Sequence, residues 1–175
     1  MSLGVALRAA LVVFSAAMLQ VVIVSSLLVG GGAPDLLLVT VVALGLLRGA
    51  VAGAFAGFAG GLVVDLVALD TLGVSSLVLT LAGFWAGRYG ETTARGRRVP
   101  PLVAVGSITV LAAAFSVVLR VLLGEEVVAQ HALVTTLVPA LLLNLAIALP
   151  VFSVVRGIVH TRPGASAATE VELVA

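Results

Sequence analysis

The sequence contains no cysteine and no lysine, and only 10% of its 175 residues are charged. Without cysteine there are no disulfides, no thiolate metal ligands and no thiol redox chemistry. Its two histidines have no matching acidic cluster, so no histidine metal site is expected. There is no glycine-rich phosphate loop with its lysine and no nucleophile elbow, and the chain reads as a non-enzyme that needs no cofactor. Arg95, Arg97 and Arg98 share one loop without interleaved aromatics, which does not describe a nucleic-acid surface. They more simply anchor that loop and attract anionic membrane lipid.

What the chain has in excess is apolar surface: 62% hydrophobic residues and a mean hydropathy of +1.32. One soluble core of this size cannot hide that surface, so the expected fold is an all-α integral membrane protein, a six-helix transmembrane bundle. About 20 helical residues cross a ~30 Å hydrocarbon core. By that measure the spans read as 9–29, 36–47, 50–69, 74–87, 102–123 and 134–159, one transmembrane domain over 1–159. A small, polar tail at 160–175 is expected to be disordered. A cleavable signal peptide is the rival reading of the first span, with Ser15-Ala16-Ala17 as a weak cleavage-like site, but the apolar run continues past it. Gly30 to Pro34 breaks the first helix, and Asp35 is placed to cap the second. That second span is ~18 Å of helix, too short to cross unless Asp35, Thr40 and Arg48 sit near the interfaces. A re-entrant pair is the alternative.

Arginine placement gives the orientation. With a cytoplasmic N-terminus, the inner segments hold Arg8, Arg48, Arg88, Arg95, Arg97, Arg98, Arg156 and Arg162, and only Arg120 lies outside. Both termini are therefore expected in the cytoplasm. Arg120 either snorkels outward or pairs with Glu125 or Glu126. Pro139 and Pro150 are expected to bend the sixth span.

Gly49, Gly53, Gly57 and Gly61 recur every fourth residue through the third span, with Asp65 beyond them. In water, interior glycines would weaken such a helix, whereas in a bilayer small residues allow close helix contact. At ~100° per residue the row winds around the helix; Gly49, Gly53 and Gly60 share one narrow face, and Gly57, Gly61 and Asp65 drift to its side. That face suits either packing within the chain or a helix of another protein. Asp65 lies ~24 Å along the axis from Gly49, near a membrane boundary, and reads as a cap before it reads as a proton carrier. Gln20 and Asn144 lie deeper, where an amide finds an interhelical partner.

Several of these residues also fall into an ordered set: Gln20, Pro34-Asp35-Leu36-Leu37-Leu38, Arg48-Gly49, Gly57-Phe58 through Gly61-Leu62 to Asp65-Leu66, Leu72-Gly73, and Gly83-Phe84-Trp85-Ala86-Gly87-Arg88. In order and spacing the set resembles the MreD family of bacterial rod shape-determining membrane proteins. The resemblance is carried by residues 10 to 90; the second half agrees in length, hydropathy and helix count. It implies a non-enzymatic scaffold subunit of the cell-elongation machinery in the bacterial cytoplasmic membrane. The implied partners are an MreC-like single-span protein and, through it, a RodA-like glycosyltransferase and a class B penicillin-binding protein. A small-residue groove around Gly53 and Gly57 would then receive the partner's helix. Proteins of this kind are also similar in size to the substrate-binding subunits of energy-coupling-factor vitamin transporters, and Ala6 with Ala10 offers an alanine pair in the first helix. Such a subunit needs a polar, aromatic-lined outer pocket, and this chain has one tryptophan and one tyrosine.

Overall fold

A computed structural model describes residues 3–26, 32–69, 71–93, 101–124 and 129–159. They form six helices: α1 Leu3–Ser26, α2 Leu36–Arg48, α3 Ala50–Ala68, α4 Val74–Thr93, α5 Pro101–Leu122 and α6 Ala129–Val159. Four of them, α1, α3, α5 and α6, are long and apolar enough to cross a membrane. Large apolar side chains such as Phe55, Phe58, Leu111 and Leu142 point outward from the bundle, as they do where the surrounding solvent is hydrocarbon.

The short second helix is the centre of the molecule. Every residue from Leu37 to Gly45 is buried, and all five other helices contact α2. A helix that is apolar on every side belongs inside, and Leu-Leu-Leu-Val-Thr-Val-Val-Ala-Leu has no polar face to turn outward. Its 13 residues amount to ~20 Å. The chain therefore surrounds a short helix with protein, and α2 need not span lipid by itself.

α3 and α4 make the most extensive helix pair. The turn between them uses Leu69 in the left-handed conformation (φ 54°) and Gly73 at φ 96°. α4 runs through Thr93, six residues past the sequence boundary at 87, into what reads as a polar loop. Two contacts hold this extension helical: Gly90 lies against the Leu46 backbone, and Glu91 reaches the start of α3. α1 starts at Leu3 rather than 9, and α6 starts at Ala129 rather than 134. α6 remains one helix through Pro139 and Pro150. Arg95, Arg97, Arg98, Glu125, Glu126 and the tail from His160 lie outside the described residues.

Candidate functional site

The N-terminus of α2 is partly buried in the bundle, and its free amides need partners from the protein. In hydrocarbon each unsatisfied backbone group costs several kcal/mol, and side chains from two other helices, together with Asp35 itself, meet the need. Gln20 of α1 uses both ends of its amide: Oε1 accepts from Leu36 N–H at 2.7 Å and Nε2 donates to the Pro34 carbonyl at 3.2 Å. Asn144 of α6 accepts the Asp35 N–H at 2.7 Å and donates to Thr109 Oγ1 of α5 at 3.3 Å. The Asp35 carboxylate closes the turn by accepting from Leu38 N–H at 2.9 Å, an N-cap. Thr40 Oγ1 donates back to the Leu36 carbonyl at 2.8 Å. Gln20, Asp35 and Asn144, far apart in sequence, thus form one polar clamp.

The other end of α2 is tied to the end of α6, where the Arg48 guanidinium donates to the Val159 carbonyl. Asn144 and Val159 lie ~22 Å apart along α6, matching the ~20 Å of α2. The short helix runs beside α6 from the clamp to the Arg48–Val159 contact.

Two carboxylates pin the α3–α4 hairpin at opposite ends. Asp65, at the end of α3 and only 1% exposed, accepts from Gly73 N–H at 2.8 Å, Ser75 N–H at 3.3 Å and Ser76 N–H at 3.4 Å, the amides that open α4. Glu91, in the last turn of α4, accepts from Ala50 N–H at 2.9 Å, the amide that opens α3. Each helix supplies the cap for the other, and each negative charge sits at a positive helix end. Ser76 Oγ adds a bond to the Phe58 carbonyl at 3.0 Å.

Between these caps the seam is built on glycine. A β-carbon on Gly53 would collide with the Gly83 carbonyl, one on Gly57 with the Leu79 carbonyl, and one on Gly61 with the Ser76 backbone. Gly83 and Gly87 return the contact from α4, and Gly45 of α2 reaches the same seam, where an added β-carbon would lie 2.7 Å from the Gly83 oxygen. α4 therefore covers the face of Gly53, Gly57 and Gly61. Gly60 faces α1 and α2 instead, and Gly49, at φ 92°, is the hinge between α2 and α3 beside Glu91. The Gly83-Phe84-Trp85-Ala86-Gly87 spacing is itself a small-xxx-small signal, and it is the sequence clue to the α4 side of the seam. Thr109 and Glu91 carried no comparable signal.

Among the described residues, no buried side-chain nitrogen or oxygen lacks a hydrogen-bond partner, and no group of three or more His, Cys, Asp or Glu side chains is placed to hold a metal ion. The polar groups satisfy helix ends and join helices. A helical membrane protein with a clamped half-helix at its centre, wrapped by glycine-packed neighbours, is the class these features define. The comparison with protein families gives the particular one: residues 2–161 match the family of rod shape-determining protein MreD, and the chain belongs to that family. No curated protein and no solved structure gave a match.

Proposed function

We propose that this chain is a non-enzymatic scaffold subunit of the bacterial cell-elongation machinery, linking an MreC-like single-span protein to peptidoglycan synthesis by a RodA-like glycosyltransferase and a class B penicillin-binding protein. Membership of the rod shape-determining family over residues 2–161 carries this reading. The geometry agrees with it: polar groups in the interior serve helix ends, and a wide apolar exterior is left for lipid and for partner helices. The face of Gly53, Gly57 and Gly61 is filled by α4, so a partner's helix would meet another surface.

The proposed orientation in the cytoplasmic membrane puts both termini inside. Arg8 shares a groove with Ile158 of α6, Arg48 meets Val159, and Arg88 lies beside Glu91 at the start of α3. Arginines from four helices, Arg156 included, thus gather at one end of the bundle, in support of that end being cytoplasmic.

The test is copurification of the tagged full chain from its native membrane. Recovery of a single-span MreC-like protein together with the polymerases is the expected result. Recovery of transporter ATPases and a coupling subunit would overturn the reading in favour of vitamin uptake.

A further inference from the structure

We propose that the groove between α1 and α3 binds an anionic phospholipid from the leaflet at the Arg48 end of the bundle. α1 and α3 come together where Gly60 faces α1, and a β-carbon there would lie 2.8 Å from Val13 Cγ1. A groove of about 710 Å³ opens beside this contact, mostly on its Arg48 side. Ala6 and Ala10 form one wall, Ala52 and Ala56 the other, and Leu44 and Arg48 of α2 line its base.

Two observations select a lipid over a protein helix. The first is length. From Val51 to Val63 the groove follows α3 for ~18 Å, a little over half of a ~30 Å hydrocarbon core. That is close to the depth of one leaflet, the reach of one acyl chain, and well short of a full crossing. A crossing helix needs the whole thickness and would meet the Val13–Gly60 contact halfway.

The second is charge. A guanidinium carries five N–H donors in a planar fork, and Arg48 gives one nitrogen to the Val159 carbonyl. No carboxylate of the described residues pairs with it. An arginine at the membrane boundary, at the end of an apolar groove, has the geometry to grip a phosphate while the acyl chain lies along the alanines. The site is independent of any protein partner and requires only that the chain sits in a bilayer.

The experiment uses the full chain reconstituted in mixed phosphatidylglycerol and phosphatidylethanolamine vesicles, extracted gently, with retained lipid read by native mass spectrometry. Phosphatidylglycerol is expected to be retained in preference to phosphatidylethanolamine. Arg48→Gln should lower that retention about tenfold, the loss expected for one charge-assisted contact. Arg88→Gln, an exposed arginine at the same end, should leave it unchanged. Because Arg48 also holds the end of α6, Ala56→Phe serves as a second variant, filling the groove with the arginine intact, and should produce the same loss. Equal retention of both lipids, or an equal loss with Arg88→Gln, would overturn the proposal. So would a photoreactive residue at Ala56 that crosslinks in native membranes to a protein rather than to lipid.

Discussion

Replacing Gly57 with alanine adds a single methyl group to α3, and the structure gives it a sign opposite to helix propensity. In an unconstrained helix the change favours the alanine by about 1 kcal/mol. At Gly57 the new β-carbon would overlap the Leu79 carbonyl and the Thr80 nitrogen, both backbone atoms that no rotamer change can move. Overpacking of this kind typically costs about 1–3 kcal/mol, and relief here requires α3 and α4 to separate. Separation also lengthens the bonds from Asp65 to the start of α4 and from Ser76 Oγ to the Phe58 carbonyl, which span the same seam. A net destabilisation of about 2 kcal/mol follows, roughly a thirtyfold change in the unfolding equilibrium. The measurement is denaturant or thermal unfolding of the purified protein in detergent. Gly157→Ala is the paired control, since a β-carbon there meets nothing within 4 Å, and it should be neutral or slightly stabilising. If Gly57→Ala is as stable as Gly157→Ala, the glycine seam does not hold the bundle together.

Asp65→Ala leaves three amides at the start of α4 without their acceptor; it should cost about 2 kcal/mol or more, with Asp65→Asn between it and the parent in the same unfolding assay. Gln20→Leu and Asn144→Leu each remove an acceptor from the start of α2, and hydrogen exchange should speed up at Asp35 and Leu36 before it changes elsewhere. Uniform acceleration across all helices would show instead that the clamp has no local role. Leu69→Gly relieves a left-handed residue that is 91% exposed and should raise stability by about 1 kcal/mol.

Hydropathy was enough to find the six helices and the all-α membrane class, because apolar runs in lipid have few other ways to satisfy their backbone. Asp35 was also legible as a cap, since the Gly-rich break and proline before it mark a helix start. The position of α2 was not. A span of this length reads as marginal while it is imagined beside lipid, and becomes reasonable once five helices enclose it. Gln20 and Asn144 could be read as amides in need of partners, but sequence does not reveal that both reach the same turn, 14 and 109 residues away from their partners. The boundary of α4 was missed for a related reason. Arg-Tyr-Gly-Glu-Thr-Thr reads as a loop until Gly90 and Glu91 are seen meeting α2 and α3.

The arrangement also ranks the helices by rigidity, in an order that intrinsic propensity would reverse. α3 carries glycine at 53, 57, 60 and 61, which by propensity alone makes it a weak helix. Yet its backbone lies directly against that of α4, both of its ends have an amide or carboxylate held by α4, and α2 closes the third side. α5 has no glycine seam of this kind: a β-carbon on Gly106 would meet only side-chain atoms, the nearest 3.7 Å away on Leu145. Its neighbour α6 lacks two backbone donors, at Pro139 and Pro150. Opening α3 must break backbone-level contacts along its whole length, whereas α5 can shift against flexible leucines. Hydrogen exchange in lipid nanodiscs should therefore find the amides of α3 protected longer than those of α5. Faster exchange in α3 would mean that glycine's backbone freedom outweighs the seam, and that α2, α3 and α4 are not the rigid part of the bundle.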